Sequence, residues 1–184
     1  MLKLECEEVS KVERYIPDIY AKSIYDIDYD NLISRGIKCV LFDLDNTLLP
    51  PRINEVSKKL SDFMKQIKKL NLHFIIYSNS GKKRVSKVAE KLNLEYICWV
   101  RKPFRGKFDK IVKKYEYNQS EMAIVGDQLL TDVLFGNKVG ITTILVNPLS
   151  INDKIFTKIN RYREAKIYKK LYKNNLFTKG KYYE

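Results

Sequence analysis

A chain of 184 residues and 21.7 kDa, 45% hydrophobic and 31% charged, carries apolar material for one compact domain with a short appendage, and too much of it for a disordered chain. No apolar run approaches the roughly 20 residues that cross a bilayer, and the start, Met1 to Tyr15, holds Glu5, Glu7 and Glu8 where a secretory signal would be basic and then apolar; neither a span nor a signal is expected. The net charge of +13 favours anionic partners, namely nucleic acid, acidic lipid or phosphorylated ligands, although richness in Lys, Ile, Asn and Tyr together is also a general compositional bias.

The first 36 residues read as an N-terminal strap, irregular from Arg14 to Arg35, with Pro17 and a short helix starting after Asp30 and ending at Gly36. Asp26, Asp28 and Asp30 imitate the first ligands of a calcium loop, but Asn31 and Ile37 stand where that loop needs Gly and Glu, so calcium is rejected. Five near-continuous apolar runs follow: 37–42, 73–77, 96–100, 122–125 and 142–146. Continuous apolarity suits strands covered on both faces, and helical stretches separate the runs. Val56, Leu60, Phe63, Met64, Ile67 and Leu70 place one stripe on a helix after Pro50 and Pro51; Val85, Val88, Ala89 and Leu92 repeat it, and a third helix is expected over 104–115. The alternation is that of an α/β, doubly wound domain over 37–150. Residues 151–184 form a Tyr-rich helical tail in which ten Lys or Arg face three acids. Ile155, Phe156, Ile159 and Tyr162 make one apolar patch there, whereas Tyr168, Leu171 and Tyr172 drift to another face. The tail is therefore expected to dock on the domain with its basic heads in water, or to serve as an arm toward a membrane surface or RNA. Cys6, Cys39 and Cys98 form no C-x-x-C pair and fit a reducing cytosol, with Cys39 and Cys98 as small buried hydrophobes.

Polar clusters follow four of the apolar runs: Asp43, Asp45 and Thr47 after the first, Ser78 and Asn79 after the second, Lys102 after the third, and Asp127 with Asp132 after the fourth. In open α/β sheets the crevice at the carboxyl ends of the strands binds ligands, so these clusters converge on one edge. Carboxylates crowded there repel one another, and a hard divalent cation such as Mg²⁺ relieves the repulsion; Lys102 and the Ser78 hydroxyl add donors suited to a phosphoryl group. A carboxylate nucleophile, a metal and fixed cations are the parts of phosphoryl transfer. Taken singly, the clusters have duller explanations: acidic caps at Asp43 and Asp45, an N-cap at Ser78, an ordinary turn at Gly126-Asp127. His73 lies outside all of them and reads as structural or solvated, and Gly81-Lys82 lacks the upstream glycine of a P-loop.

Asp43-Leu44-Asp45-Asn46-Thr47, Ser78, Lys102 and Gly126-Asp127-Gln128-Leu129-Leu130-Thr131-Asp132 resemble the four ordered motifs of the haloacid dehalogenase (HAD) superfamily of phosphatases. Pro17-Asp18-Ile19-Tyr20, the segment Ser23 to Asp28, and Val146-Asn147-Pro148-Leu149 narrow the resemblance to the YqeG family of subfamily IIIA, whose relatives include the mitochondrial phosphatidylglycerophosphate phosphatase. The resemblance implies a Rossmann-like three-layer sandwich with parallel strand order 5-4-1-2-3. It also implies Asp43 as nucleophile, Asp45 as acid and base, Thr47, Ser78 and Asn79 at the phosphate, and Lys102 on the charge of both nucleophile and phosphate. Mg²⁺ would be held by Asp43, Asp45 through its carbonyl, and Asp127, with Asp132 behind them. Arg101 and Arg105 flank Lys102 and could supply the same charge.

The intervals Thr47 to Ser78 and Ser78 to Lys102 each have room for one helix and one strand and none for a cap domain. A capless crevice excludes water poorly by itself, so a substrate large enough to act as its own lid is expected. The expectation is a cytoplasmic, Mg²⁺-dependent phosphatase of a macromolecular or lipid phosphomonoester, phosphatidylglycerophosphate first, with peripheral contact to the inner face of an anionic membrane through the basic tail. The alternatives are a phosphoprotein or polynucleotide phosphatase, and a non-catalytic RNA- or ribosome-binding protein on the same scaffold.

Overall fold

The computed structural model describes residues 11–150 and 155–184. Cys6, the acidic start and the side chains of Ile155 and Phe156 lie outside the described residues. In chain order the elements are β1 (Ile19–Ala21), α1 (Tyr29–Ser34), β2 (Cys39–Phe42), α2 (Lys58–Ile67), β3 (His73–Tyr77), α3 (Lys82–Leu92), β4 (Glu95–Ile97), α4 (Phe108–Tyr115), β5 (Met122–Gly126), α5 (Leu134–Val139), β6 (Thr142–Val146) and α6 (Ile155–Lys173). Among the described residues the pairings between these strands are parallel, in the order β1-β6-β5-β2-β3-β4.

Alternate residues of each central strand feed opposite cores, which is why the strand sequences read as unbroken apolar runs. Val40, Phe42, Phe74, Ile76, Ala123 and Val125 face the layer of α1, α2 and α3, where Leu60, Met64, Val85 and Val88 meet them. Cys39, Leu41, Ile75, Tyr77, Met122 and Ile124 face α4 and α5 through Phe108, Ile111, Phe135 and Val139. Burial pushes the Cys39 thiol up to about 12, so it behaves as the inert hydrophobe its surroundings imply. A third core joins Tyr20, Leu129, Val133, Leu134 and Leu145 to Leu171 and Phe177 of the C-terminal segment, so the tail docks.

The five expected core strands keep the order 5-4-1-2-3, but among the described residues the sheet has six strands. The strap supplies the extra one: β1 lies beside β6, pinned by Asp18, whose Oδ2 accepts from the Thr143 amide at 2.7 Å and from its hydroxyl at 2.8 Å. Three residues are too short to leave a periodic signal. Tyr183 covers the outer edge of β1 with two main-chain hydrogen bonds to Tyr20, blunting an exposed strand edge. The helix in the strap starts two residues earlier than expected because Asp28 caps it, accepting from the Asn31 amide at 2.9 Å. Strand β4 ends at Ile97 instead of residue 100: Trp99 and Arg101 take positive φ (53° and 57°) and turn the chain away from the ladder. The helix expected over 104–115 begins only at Phe108, leaving Phe104 on a loop.

Candidate active site

The Asp43 amide donates to the Val125 carbonyl at 2.9 Å, the last ladder contact of β2, so the chain leaves the sheet at that point. Asn46 at φ 67° reverses it, and the amides of Leu48 and Leu49 close on the Leu44 carbonyl at 3.1 Å. The tight turn buries Leu44 in the core and puts Asp43, Asp45 and Thr47 at the carboxyl edge of the sheet. The loops after β3 and β4 are knitted together above this edge: the Trp99 amide donates to the Ser80 carbonyl at 3.1 Å and the Val100 amide to that of Ser78 at 3.3 Å. They frame a crevice of about 400 Å³ lined by Asp43, Asp45, Ser78, Asn79, Trp99, Lys102, Gln128 and Asn160, among others.

Lys102 spans its floor. Its Nζ lies 2.8 Å from Asp43 Oδ1 and 2.5 Å from Asp132 Oδ1, and donates to the Tyr77 carbonyl at 3.0 Å, with the side chain only 1% exposed. Burial works against the ammonium, but Asp132 and Asp43 together outweigh it and hold Lys102 above its ordinary value. Burial likewise raises the Asp43 carboxyl, to about 6, with Lys102 opposing the rise. Of the three basic candidates, Lys102 is the one in the crevice: Arg105 pairs with Asp109 in solvent, and Arg101 is exposed.

Asn79 does not project toward the crevice centre alone; its Oδ1 accepts from the Lys102 amide at 2.7 Å and so holds that loop. Ser78 is not a helix cap, since Gly81 precedes α3 and the Ser78 hydroxyl accepts from the Ser80 amide at 3.2 Å. Asp132 has both oxygens engaged, Oδ1 on Lys102 and Oδ2 by the Gln128 amide (3.2 Å) and the Thr131 hydroxyl (3.1 Å), which leaves it supporting the cation from behind. A Cβ on Gly126 would overlap that carboxyl, so only glycine permits the approach. Thr47 Oγ1 is buried without a hydrogen-bond partner.

Two partners of Asp45 escape sequence reasoning. Ser80 Oγ donates to its Oδ2 at 2.5 Å, and the Arg84 guanidinium pairs with Oδ1 at 2.8 Å while binding the Pro50 carbonyl at 3.0 Å. In Lys82-Lys83-Arg84 the first two side chains are solvated, and nothing local marks the third as different.

Asp127 follows β5 directly and is 1% exposed. Its Oδ2 accepts from Arg161 Nη2 of α6, whose Nη1 donates to the Asp127 carbonyl at 2.8 Å and to Glu164 Oε2 at 3.0 Å. Glu164 is 1% exposed, and its Oε1 accepts from the Leu130 amide at 3.0 Å. Asp127 Oδ1 is buried with no hydrogen-bond partner. Burial lifts the Asp127 carboxyl well above its usual range despite Arg161, and lifts Glu164 in the same way. In the sequence Arg161 is one of ten basic residues of the tail; the available signal is that Glu164 is the one acid within 155–173, three residues from it.

The edge therefore holds hard oxygen donors in a buried setting where negative charge is underpaired. Among the described residues no set of three or more His, Cys, Asp and Glu side chains is gathered for a metal. Mg²⁺ needs only one or two carboxylates, with waters and phosphate oxygens completing its shell, and the stranded Asp127 Oδ1 beside Asp43 fits that requirement.

The family described as mitochondrial PGP phosphatase matches residues 4–150. A Bacillus subtilis protein described as probable phosphatase YqeG is 35% identical over 153 residues, covering 83% of this chain and 89% of that one. The Arabidopsis thaliana phosphatidylglycerophosphate phosphatase 1, chloroplastic/mitochondrial, is 28% identical over 151 residues, 77% of this chain but only 43% of the relative, so the chain spans under half of that protein. Among solved structures, a putative HAD superfamily (subfamily III A) hydrolase from Legionella pneumophila shares the fold at 20% identity and TM-score 0.50, covering 66% of this chain and 72% of that one.

Proposed function

Because this chain belongs to the mitochondrial PGP phosphatase family and is a phosphatase of the HAD superfamily, we propose that it is a Mg²⁺-dependent phosphomonoester hydrolase that works through an aspartyl phosphate, with phosphatidylglycerophosphate or a closely similar lipid phosphate as substrate.

The observation that carries the reading is the convergence of Asp43, Lys102 and Asp127 at one buried edge, with a single ammonium between Asp43 and Asp132. Lys102 holds one Asp43 oxygen, so the other attacks phosphorus, forming the P–O bond to Asp43 as the bond to the alcohol breaks. Asp45, gripped by Ser80 and Arg84, gives the departing alkoxide its proton and then takes one from the water that hydrolyses the aspartyl phosphate. Thr47 and Ser78 offer hydroxyls to the phosphate oxygens. Asp43, Asp127 and the Asp45 carbonyl would hold Mg²⁺, which would supply Lewis-acid stabilisation of the charge on those oxygens.

Only α2 stands between β2 and β3, and only α3 between β3 and β4, so the crevice is read as uncapped. About 400 Å³ accommodates a phosphorylated headgroup and leaves acyl chains outside. The surroundings favour a lipid. Six of the nine exposed large apolar side chains among the described residues lie on loops after β2, β4 and β6 or beside Asn160 on α6: Ile53, Trp99, Phe104, Leu149, Ile159 and Tyr162. Exposed Arg101, Arg105 and Lys166 accompany them, a mixture suited to an anionic bilayer interface. Among the described residues no helix is long and apolar enough to cross a membrane.

The test is phosphate release from phosphatidylglycerophosphate in anionic vesicles. Turnover is expected with Mg²⁺, and only background with EDTA or in Asp43→Asn; equal rates for Asp43→Asn and wild type overturn the mechanism. Phe104→Ser should slow turnover of vesicle-borne substrate several-fold and leave a soluble aryl phosphate unaffected. Preference for phosphopeptide or polynucleotide over the lipid would move the substrate to those classes.

A further inference from the structure

The C-terminal helix puts two charged side chains into the candidate site that none of the four ordered motifs contains, and both lie beyond the span 4–150 of the family match. Three features of their geometry bear on the cation. Arg161 takes Asp127 through Oδ2 and the main-chain carbonyl of the same residue, so the two arms of its fork fix the carboxylate plane, and Oδ1 is the atom left buried and without a hydrogen bond. A carboxylate oxygen stranded in this way is costly unless something else binds it. Glu164 then closes the row: its carboxylate holds Arg161 Nη1 at 3.0 Å and is itself held by the Leu130 amide at 3.0 Å, three residues past Asp127.

We propose that Arg161 and Glu164 are positioning residues for the cation-binding carboxylate, so that α6, outside the four ordered motifs of the core, completes the metal site by aiming Asp127 Oδ1 at the ion. The inference rests on reading Asp127 as a cation ligand. A lone guanidinium beside a metal ligand would repel a divalent cation; the buried Glu164 cancels that charge while leaving the orienting hydrogen bonds in place. The same arrangement argues against Arg161 as a plug that leaves when metal arrives. A plug needs only Asp127, whereas Arg161 is tied to Glu164 as well. Its helix is also anchored by Leu171, fully buried against the residues that follow Asp127. Partners behind a ligating group that fix its orientation typically change metal affinity by about 10- to 100-fold when removed.

The experiment is Mn²⁺ titration of the full chain by electron paramagnetic resonance, with competition by Mg²⁺. Arg161→Gln and Glu164→Gln are expected to bind Mn²⁺ about 10- to 100-fold more weakly than wild type. Arg163→Gln, an exposed neighbour on the same helix, should bind as wild type does, and saturating Mg²⁺ should restore most of kcat to both weakened variants. Arg161→Lys keeps the charge and loses the fork; weakened binding in it carries the same conclusion if the Gln variant fails to fold. Undiminished or tighter binding in Arg161→Gln, with wild type binding normally, overturns the positioning role and makes Arg161 a competitor of the cation. Wild type that takes up no Mn²⁺, or that Asp127→Asn matches, removes the metal reading itself along with the inference.

Discussion

Two carboxylate–cation–carboxylate rows flank the crevice and are built differently. Asp43 and Lys102 come from loops after β2 and β4 and Asp132 from the helical turn Leu129–Val133 that follows β5, and the lysine is sealed from water at 1% exposure. Asp127, Arg161 and Glu164 join the sheet to an appended helix, with the arginine side chain 24% exposed. In each row, among the described residues, one cation lies between two acids. The first row stands at the carboxyl edge of the central sheet and needs no part of α6. The second persists only while the helix stays docked, which makes the orientation of the Asp127 carboxylate depend on packing around Leu171 and Phe177.

The sharpest way to break this contrast is Lys102→Met. It leaves Asp43 and Asp132 buried without their cation, and should cost about 3–5 kcal/mol of stability by urea unfolding while abolishing turnover. A variant as stable as wild type would show that the first row is not the structural element its burial implies. Leu171→Ala should cost about 2–4 kcal/mol by leaving a cavity under α6. Circular dichroism and tryptophan fluorescence, the latter from Trp99 beside Gly81, should report one coincident transition if the tail and sheet unfold together. Two separated transitions would make the second row an independent, weaker unit. Arg84→Gln tests Asp45, which belongs to neither row; kcat is expected to fall about 10- to 100-fold with substrate affinity little changed, because the acid loses an orienting partner rather than the site losing a binding group.

The smallest effect is in pH. Burial raises the folded Asp43 carboxyl to about 6 from an ordinary 3.8, and raises Asp127 in the same direction. A folded state that binds protons more readily than the unfolded chain gains stability as pH falls: the contribution is fully present below the unfolded value and is lost as pH rises through about 6. In EDTA, lowering pH from about 7 to 5 should therefore stabilise the protein by about 1 kcal/mol from Asp43 alone, and Mg²⁺ at neutral pH should make the same gain without the proton. Stability that falls over this interval would mean that Lys102 already compensates Asp43 fully.

The sheet was legible because strands buried on both faces must be apolar at every position, and the acidic and basic residues at their ends stood out against those runs. Asp43, Lys102 and Asp127 could be picked out for that reason. Strand β1 could not: three residues between Pro17 and a polar turn carry no period, and its place is decided by Asp18 meeting Thr143, 125 positions away. Arg84 and Arg161 were hidden by their own kind, each a basic residue among exposed basic residues. Burial of a charge is a property of what packs over it, and no local pattern records that.

The amino-acid order by itself determined the layered α/β architecture and the chemistry-bearing types at one sheet edge, because hydrophobic periodicity and the ends of strands are local properties. Only the tertiary structure decided which cation meets which acid, that Asp132 supports Lys102, and that the C-terminal helix reaches Asp127. Those pairings depend on distance and desolvation between segments far apart in the chain, and both arise when the layers close.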